Sequence, residues 1–496
     1  MHIAVDLGAG SGRVFLVAFD AEGLFLEEIH RFQYPPRVVD GCLRWDYGAI
    51  LSSIKLGLTL AAKRVAEAGR RIDSLGVDSW AVDYGWLDDE GRLLADPVCY
   101  RDRRTDGIPQ QVFARLSQDQ LFARTGIQTQ NFNTLFQIFT DTDDVKQRGS
   151  KFLLLPDLIN YDLAGIARSE FTNATTTQIL SAETGRWDVD LLRLAGIDPD
   201  AAGEIVPAGT KLGKLLPGIR EELGLNDISL IAPATHDTAS AVAAAPLDQN
   251  TAYISSGTWS LVGVETEQPI INDKACRLNF TNEGGVYGTY RFLKNVMGLW
   301  ILERCREEWR ADGVDVGYEA LLRDLDANVV SNNLIFPDDP RFLNPASMLE
   351  ALTAQLDETG QRSPGSPAGI CKMIFDSLCL RYASVIDSIE ELNGRDIRRI
   401  EVLGGGGRNA YLNQMTANIC GRPVRAGLTE ATVLGNAMVQ AITCQRFDSI
   451  REARDYVGKH VDRREIFPLD IVGIRSIKAR YIEIEHRYAG VHAVSA

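Results

Sequence analysis

The sequence predicts an α/β protein of two domains, and three observations predict it. Strand-like and helix-like patterns alternate along the chain, 45% of its 496 residues are apolar, and a hairpin pattern near residue 3 returns near residue 251. A chain of this length and apolar content is able to fill two cores rather than one. Two hairpins half a chain apart read as the openings of duplicated domains that face one another, divided at 244/245.

The first hairpin is an apolar strand over residues 3–7, a turn over 8–12 rich in glycine, and a second strand over 13–19. Next, Ile50, Ile54, Leu58, Ala62 and Val65 recur at helical spacing, with Gly69 placed to stop that helix. Trp80, Val82, Tyr84 and Trp86 alternate with Ala81, Asp83 and Gly85, a strand pattern that ends in the turn at 88–91. Residues 107–230 are mixed and read as an elaboration of the first domain beside the substrate site. The alanine-rich run at 238–245 reads as a helix start. The second hairpin pairs 251–255 with 259–264 around Ser256-Gly257-Thr258. A long apolar stripe, Ile374, Leu378, Tyr382, Val385, Ile389 and Leu392, ends at Asn393-Gly394. It is followed by a buried strand at 400–403, a glycine run at 404–407, and a helix over 410–420 with Asn409 as its N-cap.

Charge narrows the partners. Lys and Arg total 52 against 67 Asp and Glu, a net charge of −15, which repels nucleic acid and anionic membrane alike and leaves small molecules. The eight cysteines form no C-x-x-C pair and read as reduced thiols. The N-terminus has neither a basic region nor an apolar run of the signal-peptide kind, and no apolar stretch reaches the ~18 residues of a membrane span. A cytoplasmic protein is the expectation.

Several segments carry chemistry. The turn Gly8-Ala9-Gly10-Ser11-Gly12-Arg13 follows a strand, and its small residues let backbone N–H groups approach phosphate oxygens, with Arg13 adding a cation. It is neither a P-loop nor a dinucleotide fingerprint, because Arg13 stands where the third glycine of the latter belongs. Asp6 at the strand end serves either as a turn cap or, beside a phosphate loop, as a ligand that holds Mg²⁺ through water. Thr258 in the second hairpin offers a matching set of donors. In Thr235-His236-Asp237-Thr238, Asp237 is either the N-cap of the alanine-rich helix or a base that accepts a proton from a substrate hydroxyl. His236 is placed to bond a sugar oxygen or to orient that base. The glycine run at 404–407 allows close approach to a flat ring such as adenine.

The order of these segments resembles that of the FGGY carbohydrate kinases. The resemblance rests on 6–13 (Asp-Leu-Gly-Ala-Gly-Ser-Gly-Arg), 255–260 (Ser-Ser-Gly-Thr-Trp-Ser), 404–409 (Gly-Gly-Gly-Gly-Arg-Asn) and 430–437 (Glu-Ala-Thr-Val-Leu-Gly-Asn-Ala). Within the family it is most similar to the members that act on L-rhamnulose, through segments 76–84, 100–105, 172–178, 236–241, 281–285 and 294–300. The resemblance spans residues 3 to about 445.

It implies two ribonuclease H-like domains of the actin-like ATPase type flanking a central catalytic cleft, with ATP and Mg²⁺ as partners and phosphorylation of L-rhamnulose at its C1 hydroxyl. By the same resemblance Asp237 is the proton acceptor, and Ala81, Asp83, His236, Thr238 and Asn295 line the sugar. Ala9, Gly10, Ser11, Gly12, Arg13, Thr258, Glu303 and Gly405 lie against ATP, and Asp6 takes the metal. Two positions depart from the family pattern, which commonly has Gly at 81 and Gln at 303. A methyl at 81 crowds the sugar, and a carboxylate at 303 is a poorer neighbour for a nucleotide than an amide donor.

Overall fold

Residues 1–314, 316–323 and 325–489 are described by the computed structural model of the chain. They fall into two units. The first comprises Met1–Pro246, Thr266–Phe292 and Glu430–Val461; the second comprises Leu247–Glu265, Leu293–Thr429 and the chain from Asp462 onward.

The first unit is built on a six-stranded sheet of β1 (His2–Gly8), β2 (Ser11–Phe19), β3 (Leu24–Gln33), β4 (Ser74–Ser79), β5 (Lys211–Lys214) and β6 (Ser229–Ile231), in the order β5-β6-β4-β1-β2-β3. Strands β1 and β2 are antiparallel, with Gly8 opposite Ser11. The turn is therefore only Ala9-Gly10, and the strands reach further into the glycine run than its composition predicts. Strands β4 and β6 extend the sheet in parallel, and β5 closes that edge antiparallel.

Helix α1 (Tyr47–Glu67) lays Ile50, Ile54, Leu58, Ala61 and Val65 on the core, each fully buried Ile, Leu or Val contributing about 1.5–3 kcal/mol. Ala61 replaces the expected Ala62 as the buried member. Gly69 takes a left-handed φ of 62° just past the helix end, as its placement predicts.

The second sheet includes β7 (Thr251–Ser256), β8 (Trp259–Thr266), β9 (Tyr290–Met297), β10 (Arg399–Leu403), β11 (Val424–Leu428) and β12 (Arg464–Ile466), with neighbours in the order β12-β11-β10-β7-β8-β9. Here too a central strand, β7, pairs antiparallel with the next strand and parallel with a later one, and β12 closes the edge antiparallel. Six strands thus follow the same order in the two sheets, the second of which has a seventh, and the repeat seen in the hairpins extends through those six.

Helices complete each unit: α2 (Asp237–Ala244) and α6 (Ala431–Thr443) in the first, α3 (Trp300–Ala311), α4 (Pro367–Asn393) and α5 (Ala410–Cys420) in the second. α4 ends at Gly394 with φ 67°, and the Asn409 side chain caps α5 by accepting from Leu412 N, both as the sequence predicts. α2 and α6 touch closely: a Cβ at Gly435 would lie 1.7 Å from the Ser240 carbonyl oxygen, so only glycine fits.

One predicted element differs. Residues 80–83 are not strand; only Tyr84–Leu87 is. Val82 has φ 70°, a conformation costly for a β-branched residue. It is held by Thr134 Oγ1 and Gln137 Nε2, which donate to its carbonyl at 2.7 and 3.3 Å. Among the described residues no helix is long and apolar enough to cross a membrane.

Candidate active site

In the first unit the loop after β6 runs alongside the end of β4. Ser79 N donates to Thr235 O at 2.9 Å, and Ser79 and His236 form a parallel bridge. Buried Glu170 fastens this loop. It accepts Thr235 N at 3.0 Å, Thr235 Oγ1 at 2.9 Å, Thr172 N at 3.0 Å and Thr172 Oγ1 at 2.5 Å. The Thr172 hydroxyl in turn accepts His236 N at 3.2 Å.

His236 occupies the N-cap position of α2 without a side-chain capping bond, and Asp237 is the first helical residue. The Asp237 carboxylate accepts Thr238 N at 2.5 Å and Thr238 Oγ1 at 3.1 Å, and lies 3.5 Å from His236 Nε2. Burial raises its pKa, the neighbouring His236 lowers it, and Asp6 raises it again. Asp237 keeps 28% of its side chain accessible, against 8% for Asp6, while Asp78 and Asp83 are buried; of these carboxylates it is the most accessible.

A second cluster surrounds the β1–β2 turn. Asp6 is opposite Arg13 across the antiparallel pair and opposite Asp78 across the parallel pair. The Arg13 guanidinium donates to both Asp6 and Glu430. Burial alone would lower the pKa of Arg13, and those two carboxylates more than reverse it, so the cation is held firmly. Asp78 has its pKa raised by burial and by repulsion from Asp6, while Asn436 Nδ2 donates to it at 2.5 Å. The turn is half-buried, and Arg101 reaches it through the Ala9 carbonyl at 3.3 Å. A Cβ at Gly12 would lie 2.4 Å from the Phe32 ring and displace it, whereas Gly10 faces open space.

Asp83 and Ala81 lie on the strained loop after β4. Asp83 is buried and accepts Trp45 Nε1 at 2.6 Å, Trp80 Nε1 at 2.9 Å, Gln137 Nε2 at 3.2 Å and Tyr100 N at 3.3 Å. Burial raises its pKa to about 6 against these bonds. Its carboxylate is thus engaged by the protein, while Ala81, between Trp80 and Val82, is half-buried and packs against the core of the first unit.

In the second unit Thr258 is exposed at the tip of the β7–β8 hairpin. Its carbonyl accepts Gly298 N and Trp300 N, both at 3.2 Å, which docks the tip on the start of α3. A Cβ at Gly298 would meet that tip at 2.7–2.8 Å. Asn295 is half-buried on β9. Glu303 stands in the first turn of α3, and Arg306 NH1 donates to both its oxygens at 2.7 and 2.9 Å. Gly405 is exposed with open space around its Cα, and the adjacent Gly404 takes φ 78°.

Comparison with known proteins places this geometry. The model of the FGGY family of carbohydrate kinases, N-terminal domain, matches residues 1–244, and that of the C-terminal domain matches 252–444. The chain belongs to the FGGY family of carbohydrate kinases. This FGGY chain is 43% identical over 472 residues to a rhamnulokinase of Bacteroides thetaiotaomicron, covering 94% of the chain and 96% of that protein. Rhamnulokinases of Oceanobacillus iheyensis and Halalkalibacterium halodurans are 41% and 40% identical, over 93% and 94% of the chain and 97% and 99% of their own. In fold it is similar to a gluconate kinase of Lactobacillus acidophilus (TM-score 0.78, 16% identity, 100% of this chain and 98% of that one). A xylulose kinase of Rhodospirillum rubrum is similar too (TM-score 0.77, 18% identity, 99% of each). The two-unit α/β plan is that of the family's actin-like ATPase type.

Motif reading alone did not find Asp78, Glu170 and Asn436 as site residues. Each is a buried polar side chain, and the only sequence signal available was their location inside the resembling segments 76–84 and 430–437 or just before 172–178.

Proposed function

We propose that this FGGY kinase transfers the γ-phosphoryl group of ATP to the C1 hydroxyl of L-rhamnulose, with Asp237 accepting the hydroxyl proton. The observation that carries the reading is the accessibility of Asp237 at the positive end of α2, among carboxylates the protein has buried. Burial raises the basicity of Asp237, which suits a group that must take a proton as the hydroxyl attacks phosphorus. The substrate is supported by 40–43% identity to rhamnulokinases along nearly the whole chain.

Ala81, His236 and Thr238 of the first unit and Asn295 of the second are the proposed sugar contacts. Asp83 acts through its bonds to Trp45 and Trp80, which set the loop that carries Ala81. The proposed ATP contacts are Ala9 to Arg13 in the first unit and Thr258, Glu303 and Gly405 in the second. Because Arg13 is committed to Asp6 and Glu430, phosphate binding at the turn relies on the backbone N–H groups and on exchange of one carboxylate partner. The division at 244/245 is supported by the two family matches at 1–244 and 252–444. Free cysteines throughout the described residues suit a cytoplasmic enzyme.

Mg²⁺ fits the residues near the turn. Asp6 and Asp78 repel one another across adjacent strands, and Asp78 Oδ1 is buried without a hydrogen-bond partner among the described residues. No set of three or more His, Cys, Asp or Glu side chains among the described residues forms a metal cage, so Asp6 and Asp78 would hold the ion chiefly through water and the nucleotide. Bound there, it would supply charge neutralisation for the phosphates.

The test is Asp237→Asn. It should keep the fold and ketose binding while cutting kcat by at least about a hundredfold, the low end of general-base contributions. Turnover at the wild-type rate would remove Asp237 from the mechanism.

A further inference from the structure

The segment 281–285 marks the resemblance, yet the proposed chemistry gives it no part. Its Glu283 and the nearby Arg291 lie behind His236, all within the first unit. Arg291 has no accessible side-chain surface. Its Nε donates to Gly284 O at 2.9 Å, and its NH2 lies 3.0 Å from His236 Nδ1 and 3.1 Å from Glu283 Oε2. Glu283 Oε2 is also 3.4 Å from His236 Nδ1.

A guanidinium is always a donor and never an acceptor. The 3.0 Å contact is therefore a hydrogen bond only if His236 Nδ1 is the unprotonated nitrogen. A neutral imidazole carries its single proton on the other nitrogen, Nε2, which lies 3.5 Å from Asp237 Oδ1. Glu283, taken alone, would favour the opposite tautomer by accepting from Nδ1. Its contact with His236 is the longer one, and the same oxygen is closer to Arg291, whose buried charge it balances.

We infer that Arg291, balanced by Glu283, is a positioning residue that fixes His236 in its Nε2–H form and so presents a hydrogen-bond donor to the ketose beside Asp237. This rests on the reading of His236 and Asp237 as sugar-site residues. Arg291 touches neither substrate in this scheme; it acts through the imidazole, as partners behind functional histidines do elsewhere.

Two measurements test it. Long-range ¹H–¹⁵N correlation on the deuterated, full-length protein labelled with [¹⁵N]histidine, with His236→Gln to assign the signal, reads the tautomer without any change at Arg291. The expected spectrum has the Nδ1 of His236 unprotonated and Nε2 protonated; an Nδ1–H signal overturns the inference. In kinetics, Arg291→Met combined with Glu283→Gln should lower kcat/KM for the ketose about tenfold, the scale of one lost hydrogen bond, and leave KM for ATP unchanged. Arg291→Lys, which keeps a donor, should restore most of that loss. Unchanged kcat/KM in the double variant, or equal damage toward ketose and ATP, overturns the inference. Asp237→Asn assayed alongside separates the two ideas: full turnover there removes the base, whereas the tautomer is read independently of activity.

Discussion

The carboxylate of Glu170 accepts both the backbone N–H and the hydroxyl of Thr235, at 3.0 and 2.9 Å, across 65 residues of sequence. Thr235 precedes His236 and Asp237, so the buried carboxylate of Glu170 sets the backbone from which the proposed base projects. Glu170→Gln replaces an acceptor oxygen by an amide donor and leaves a buried threonine donor opposed, at a cost of about 1–3 kcal/mol. Calorimetry should show a melting point lower by several degrees, and kcat/KM for the ketose should fall with it. Wild-type values of both would show that the loop is set by other contacts.

Glu303, proposed to lie against ATP, is held by Arg306, whose NH1 donates to both its oxygens. With half of its side chain exposed, the pair is a weak one. Glu303→Gln removes a negative charge from the proposed nucleotide side and releases Arg306. KM for ATP should fall about threefold, with kcat at saturating ketose unchanged. An unchanged or higher KM would place Glu303 away from the nucleotide.

Lys294 gives a pH dependence of known sign. Burial, then repulsion from Arg381, lowers its pKa from 10.5 to about 7, with Asp338 and Glu485 pulling the other way. Between about pH 7 and 10.5 the unfolded chain holds a proton that the folded chain has released, so this group makes stability rise with pH across that window. Below it both states are protonated and the burial cost is felt in full. The stability of wild type relative to Lys294→Met should therefore rise as pH goes from 7 to 10, by up to about 1.4 kcal/mol per pH unit. Urea unfolding at a series of pH values measures it, and a difference independent of pH would contradict the assignment.

Much of the fold is legible in the sequence because local chemistry and tertiary structure agree there. The stripe from Ile374 to Ile389, the glycine at 394 and the Asn409 cap are local signals, and each is realised. The alternation from Trp80 to Trp86 misleads for the opposite reason. Its backbone is bent at Val82 by bonds from Thr134 and Gln137, some 50 residues on, which no local pattern announces. The same holds in the site. Asp237 stands out in the sequence at the start of an alanine-rich helix, whereas the long-range bonds around the candidate site do not. Asn436 reaches Asp78, and Gln440 reaches Ser74 and the Ile3 carbonyl, from more than 350 positions away. Such residues are polar on a buried helix face, and only the folded chain reveals which acceptor or donor each one satisfies.

The central claim is tested most directly by ADP release in the presence of Mg²⁺ and ATP across L-rhamnulose, L-fuculose, L-xylulose, L-ribulose, D-xylulose and glycerol. The account predicts the highest kcat/KM for L-rhamnulose, by about tenfold or more over the other ketoses, as expected when buried polar groups must match the sugar hydroxyls. Preference for another ketose would keep the kinase and overturn the substrate, and ADP release that does not depend on sugar would contradict the account altogether.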